Sequence, residues 1–274
     1  MNRIDAAFAA RPAFMPYFPL GYPTPEISVD VIEALAKNGA DLIEVGVPFS
    51  DPLADGPVIQ RATQIALQNG MTVARALAAV RELRARGVTI PLVLMSYYNP
   101  LMAASRGLSR LALDAAQAGA DGFIVPDLPP EEAAEFEAAI NPLPQIRMLA
   151  PTTPAQRIHT ITQNARGFLY LVSLTGVTGT RRHLPEGLPV FIARVREHMC
   201  DRVPLCVGFG ISTPELARAV GQLADGVIVG SACVKTVGEA ADPARAAGAF
   251  ARAFKMALEQ TSQVSETCEV SYQK

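Results

Sequence analysis

The sequence predicts an α/β fold in one domain, a closed barrel of eight parallel strands each followed by a helix, and three observations point to it. Short apolar runs, eight in number, alternate with longer stretches rich in Ala, Leu, Glu and Arg. The runs are continuously apolar, as parallel strands covered on both faces are, and do not alternate with polar residues. Eight such strand–helix pairs also fit a chain of 274 residues, half of them apolar, because single α/β barrels reach this length without splitting into domains. The pattern is that of the (β/α)₈ or TIM barrel; an open doubly wound sheet is the competing arrangement.

Phe14–Leu20 reads as the first strand and Ile27–Lys37 as its helix. Asp41–Val47 is strand two, followed by a long loop, a helical stretch from Pro57 to Asn69 stopped by Gly70, and another over Val73–Arg86. Pro91–Ser96 is strand three and Leu108–Ala118 its helix; Gly122–Val125 is strand four. Pro130–Ile140 follows as a helix, with Glu131 and Glu132 in its first turn, where the helix dipole favours acids. Strands five to eight are Ile146–Ala150, Phe168–Val172, Pro204–Val207 and Gly226–Val229. Helices over Pro154–Asn164, Leu188–His198 and Pro214–Gln222 lie between them, and Pro243–Glu259 closes the barrel. The barrel is expected over residues 1–262, with the polar, unpatterned 263–274 fraying as a tail.

Composition narrows the function. The net charge is −2 with no basic stripe, which argues against nucleic acid as a partner. No apolar run approaches the roughly 18 residues that a membrane span requires. The start, MNRIDAAFAA, lacks a basic flank followed by an apolar segment, so no secretory signal is read and a cytoplasmic protein is expected. The cysteines at 200, 206, 233 and 268 form no Cys-x-x-Cys pair and are expected to be reduced, with Cys206 and Cys233 in the core. The three histidines lack ligand spacing, so no metal site is expected.

Chemistry in such barrels sits at the C-terminal strand ends. Glu44 interrupts the apolar second strand, and a period of two places Leu42, Glu44 and Gly46 on one face. If that face points inward, burial raises the carboxyl pKa towards the working range of an acid/base catalyst; a buried ion pair is the alternative. The loop SDPLADGP then brings Ser50, Asp51 and Asp55 forward. Asp55 could divide proton transfers with Glu44 or merely cap the next helix. After strand seven, Gly208 and Gly210 permit close backbone approach, and Ser212–Glu215 reads as a capping box. Gly230 and Ser231 follow strand eight and open another helix. These two places form the phosphate cradle that the fold usually builds from its last loops and a helix N-terminus; two plain turns are the alternative. Between them SLTGVTGTRRH, residues 173–183, suits a lid, in which Gly179 could join the cradle and Arg181 and Arg182 could face the anion or solvent.

Eight segments carry a resemblance. MPYFPLGYP, IEVGVPFSDPLADGP, LMSYYNP, GFIVPDLPPEE, LAPTTP, YLVSLTGVTGTR, VGFGIS and VGSACVK occur in order and at matching spacing, so the chain resembles the tryptophan synthase alpha subunit family over nearly its whole length. The resemblance implies retro-aldol cleavage of indole-3-glycerol phosphate to indole and glyceraldehyde 3-phosphate, with no cofactor. By resemblance Glu44 is the acid/base, Asp55 stabilises positive charge near the indole nitrogen, and Tyr170 stands beside the substrate. Gly179, Gly210, Gly230 and Ser231 match phosphate ligands, and Thr178 a lid threonine that organises the aspartate. Tyr17, Met95, Tyr97, Leu149 and Phe209 would line the indole slot. The implied partner is a pyridoxal-phosphate beta subunit in an α₂β₂ complex, met near Asp51 and Pro52. Leu174, in place of a common arginine, and Tyr22, in place of a common aspartate, depart from the pattern and bear on the lid and on partner coupling. Another phosphosugar enzyme on this barrel, or a barrel that only activates a partner, would share the cradle.

Overall fold

Eight parallel strands close into a barrel in chain order in the computed structural model, which describes residues 2–9, 12–103, 107–172, 186–199, 203–208 and 210–270. The strands are β1 Ala13–Pro19, β2 Ile43–Gly46, β3 Leu92–Met95, β4 Gly122–Ile124, β5 Gln145–Leu149, β6 Leu169–Val172, β7 Leu205–Gly208 and β8 Gly226–Val229. A short helix α1, Arg3–Ala7, precedes β1, and α2, Pro25–Lys37, follows it. After β2 come α3, Pro57–Gln68, and α4, Val73–Ala85; after β3 come α5, Tyr98–Ala103, and α6, Leu108–Ala118. The remaining helices are α7 Ala134–Ile140, α8 Ala155–Thr162, α9 Leu188–His198, α10 Pro214–Gly221, α11 Ser231–Gly238 and α12 Pro243–Val270. The expected barrel is the observed one, and no helix among the described residues is long and apolar enough to cross a membrane.

Each strand is buried on both faces. In β1, Phe14 points outward and stacks on Phe254 of α12 at 5.5 Å between ring centroids, while Tyr17, of opposite parity, lines a cavity inside the barrel. This two-sided burial explains why the runs are apolar without alternation.

Three aspartates tie strand starts together from below. Asp41, Asp121 and Asp225 each accept a backbone N–H from the first or second residue of the preceding strand, Phe14 (2.7 Å), Leu92 (2.8 Å) and Leu205 (2.9 Å) respectively. Each also returns its own N–H to the carbonyl of that same residue. A cation backs every one of them: Lys255 for Asp41, Arg84 and Arg3 for Asp121, and Arg196 for Asp225. Beside Asp121, α1 plugs the floor. Its Ile4 is fully buried, and Phe8 meets Phe168 at 5.9 Å.

The structure departs from expectation at several element ends. The helix before β5 begins at Ala134, not Pro130, so Glu131 and Glu132 precede it. Pro129 and Pro130 lack amide protons and instead accept tight-turn bonds from Glu132 (3.0 Å) and Ala133 (3.4 Å). Glu131 pairs with Arg157 across the surface. The cap of α10 is Thr213, whose hydroxyl accepts the Leu216 N–H at 3.3 Å, and not Ser212; Pro214 occupies the first helical turn, where its missing donor costs nothing. Finally α12 runs to Val270, into the stretch expected to fray, because no Gly or Pro breaks it between Glu259 and Val270.

Candidate active site

Strand β2 carries Glu44 inward, paired in register with Tyr17 of β1 and Val93 of β3. The side chain is 4% exposed, and among the described residues it makes no hydrogen bond or ion pair. The buried ion pair is therefore not what holds it there. Burial, and then the nearby Asp55 carboxylate, push its pKa up to about 8.

Two tyrosines flank this carboxylate, and each leans over a glycine on the next strand. A Cβ on Gly46 would collide with the Tyr17 ring, and one on Gly208 with the Tyr170 ring. In both cases the glycine is two residues past the tyrosine's register partner, Glu44 for Tyr17 and Cys206 for Tyr170. The rings thus lie where two side chains of the next inward layer would otherwise stand. Desolvation raises both phenols well above their ordinary pKa, so they are neutral walls.

The loop after β2 brings Asp55 to the same space. Its side chain does not cap the next helix: the N-cap of α3 is Gly56, with no side-chain bond. The carboxylate instead accepts the Tyr97 hydroxyl at 3.1 Å. Burial raises its pKa to about 6, and the Tyr97 bond opposes that rise. Asp51 stays at the surface, bonded to Ser50.

Glu44, Asp55, Tyr17 and Tyr170 line a cavity of about 620 Å³. Its walls include Tyr17, Met95, Ile124, Met148, Tyr170 and Ile228, an apolar slot beside Glu44 and Asp55. Gly210, Ser212, Gly230 and Ser231 also line it. The first helical bond of α11 runs from the Val234 N–H to Gly230 O at 3.0 Å, so the amides of Ser231, Ala232 and Cys233 have no helical acceptor and present the positive end of the helix. Gly210 adopts φ +79°, a left-handed conformation that turns the chain after β7.

The structure gathers Glu44, Asp55, Tyr17, Met95, Tyr170, Gly210, Gly230 and Ser231 around one cavity. Tyr97 touches Asp55 without lining the cavity, and Leu149 lies elsewhere. Arg147 of β5 reaches Glu137 and the Ile161 carbonyl on the surrounding helices, both at 2.9 Å. Leu149 shares that outward parity and borders a second depression of about 760 Å³; Met148 takes the inward place. Met148, Ile124 and Ile228 were not singled out from the sequence, although the arginine within β5 marks which parity faces out. Thr178, Gly179 and Phe209, with Leu174, Arg181 and Arg182, lie outside the described residues. Cys206 and Cys233 are buried and in no disulfide, and the described residues hold no cluster of three His, Cys, Asp or Glu able to bind a metal.

Comparison with known proteins agrees with this fold. Residues 5–263 match the sequence model of the family described as "Tryptophan synthase alpha chain". A tryptophan synthase alpha chain from Roseiflexus castenholzii is 52% identical over 244 residues, 86% of this chain and 92% of that one. Another, from Chloroflexus aggregans, is 50% identical over 258 residues, 92% and 95% of the two chains. Among solved structures, the alpha subunit from Legionella pneumophila str. Paris superimposes with a TM-score of 0.85 at 39% identity, covering 95% of this chain and 99% of that one. A chain of tryptophan synthase from M. tuberculosis in an aminoacrylate-bound form gives 0.83 at 34% identity, with 94% and 100% coverage.

Proposed function

The chain belongs to the tryptophan synthase alpha chain family, lyases that cleave indole-3-glycerol phosphate in tryptophan biosynthesis, and from that premise we propose how its residues divide the reaction. At neutral pH Glu44, with a pKa of about 8, holds its proton, while Asp55, at about 6, is ionised. Two carboxyls in one cavity are thereby set as one acid and one anion. Glu44 protonates the indole carbon that bears the side chain, and Asp55 stabilises the positive charge that develops at the ring nitrogen. The Glu44 carboxylate then takes the proton of the adjacent glycerol hydroxyl. That hydroxyl becomes the carbonyl of glyceraldehyde 3-phosphate, the carbon–carbon bond breaks, and its electron pair restores the indole. Glu44 ends protonated as it began. The ring rests in the slot walled by Tyr17, Met95, Ile124, Met148 and Tyr170; the phosphate sits at Gly210, Gly230 and Ser231.

The observation that carries this reading is a buried, inward glutamate without a cationic partner among the described residues. It predicts a bell-shaped pH dependence of kcat/KM for indole-3-glycerol phosphate. Activity rises as Asp55 ionises near pH 6, peaks near neutrality, and falls as Glu44 loses its proton near pH 8. A profile still climbing at pH 9 would remove Glu44 from the role of acid. The phosphate placement is tested by Gly230→Asp. A Cβ there meets nothing closer than Ile59 Cδ1 at 3.6 Å, so the backbone position itself accepts a side chain. KM is expected to rise ~10-fold or more, because only ~1.4 kcal/mol of repulsion between two anions is needed; an unchanged KM counts against the cradle.

The family works with a beta subunit. For this chain we propose an α₂β₂ assembly with a pyridoxal-phosphate beta subunit that receives the indole. The loop bearing Asp51 and Pro52 would meet it, and Leu53, 91% exposed in that loop, supplies an apolar contact.

A further inference from the structure

Tyr97 does not behave as a wall of the ring slot. It is 3% exposed, and its hydroxyl is engaged on both sides: it donates to Asp55 Oδ2 at 3.1 Å and accepts the Ala54 N–H at 2.9 Å. Its ring meets Phe49 at 5.4 Å between centroids. A single residue just past β3 therefore grips Phe49, Ala54 and Asp55 of the loop between β2 and α3. The other bonds of Asp55 run through its backbone, from its N–H to Pro52 O and from Gln60 Nε2 to its carbonyl. None of those aims the carboxylate.

We propose that Tyr97 is a positioning residue whose hydroxyl fixes the aim of the Asp55 carboxylate and favours its charged form; the inference rests on the reading of Asp55 as the anion beside the indole nitrogen. The groups facing Asp55 are Glu44 from β2, Tyr17 from β1, Tyr170 from β6 and Tyr97, with Asp127 from the loop after β4 acting on Tyr97. Among the described residues no cation bonds to Asp55 or shifts its titration, although Lys235 of α11 lines the same cavity. At neutral pH Glu44 and the tyrosines are uncharged, so the Tyr97 O–H is the donor that offsets burial of the carboxylate among the described residues. A hydrogen bond to the charged form lowers a carboxyl pKa, and without it desolvation acts unopposed.

The experiment compares Tyr97→Phe with Asp55→Asn in the full-length chain, measuring kcat and KM for indole-3-glycerol phosphate across pH, together with hydrogen exchange at the Ala54 amide. Phenylalanine keeps the ring contact with Phe49. In Tyr97→Phe the acid limb of kcat/KM is expected to move up by ~0.5–1 pH unit, giving a ~2–5-fold loss near pH 6 that grows to ~3–10-fold well below it and shrinks towards pH 7.5. The loss falls on kcat more than on KM, and the Ala54 amide, deprived of its acceptor, exchanges faster. A KM raised by one factor at every pH, with the limb unmoved and Asp55→Asn inactive, is the signature of a plain wall and overturns the inference alone. An Asp55→Asn variant with near-normal turnover and an intact acid limb overturns the reading of Asp55 as well.

Discussion

Glu44→Gln is expected to lower turnover of indole-3-glycerol phosphate by at least ~100-fold, the usual worth of a positioned acid/base group, in a chain that still folds. Glutamine matches the glutamate in shape, and no partner is lost, since the carboxyl makes no bond among the described residues. Stability should change in the opposite direction. The unfolded chain releases this proton near pH 4.5, the folded one near pH 8. Below pH 4.5 both states hold the proton and burial of the neutral acid is tolerated. As pH climbs towards 8 the unfolded state gains by ionising, so the native state loses about 1.4 kcal/mol for each unit of pH in that window. Glutamine does not titrate, so the variant should match the parent near pH 4.5 and be several kcal/mol more stable at pH 8–9. Urea unfolding at the two pH values reads this directly. Equal stability of the two proteins at pH 9 would show that the side chain is solvated, and the mechanism would lose its acid.

The second large effect is structural. Asp121→Ala is expected to destabilise the barrel by roughly 3–5 kcal/mol, the range for removing one partner of a buried ion pair. The side chain, 9% exposed, accepts from Leu92 N at 2.8 Å, Arg84 Nη2 at 2.6 Å and Arg3 Nη1 at 2.9 Å. Its loss strands the first amide of β3 and leaves Arg84 in place, because that guanidinium also donates to the carbonyls of Val88, Ile90 and Gly119. Desolvation already depresses the Arg84 pKa, and Asp121 is the main opposing influence. Asp121→Asn, which keeps an acceptor for Leu92, should fall between parent and alanine. Alanine costing less than ~1 kcal/mol in thermal or urea unfolding would show that water replaces the carboxylate there.

The barrel was legible in the sequence because its strands are dry on both faces, and a run such as Val-Leu-Met or Gly-Val-Ile-Val permits little else. Glu44 stood out for the same reason, as a charge inside such a run. What escaped had physical causes. Helix α1 has five residues, too few to show a helical period, and α5 encloses Pro100. The start of α7 was displaced because tight turns satisfied the backbone first. At β5 the error was one residue, Leu149 for Met148, and one residue in a strand exchanges the two faces. The aspartate ties could have been seen: an Ala-Asp pair recurs at 40–41, 120–121 and 224–225, each just ahead of a strand.

The pairing of each flanking tyrosine with a glycine has an evolutionary corollary. Position 17 is coupled to 46, and 170 to 208, because ring and missing side chain occupy one volume. Mutational scanning one position at a time will therefore score both glycines as intolerant. Alanine at 46 becomes acceptable only in a background where residue 17 has already shrunk, which is sign epistasis imposed by sterics. Recombination libraries meant to reshape this pocket for bulkier indoles should vary the members of each couple together.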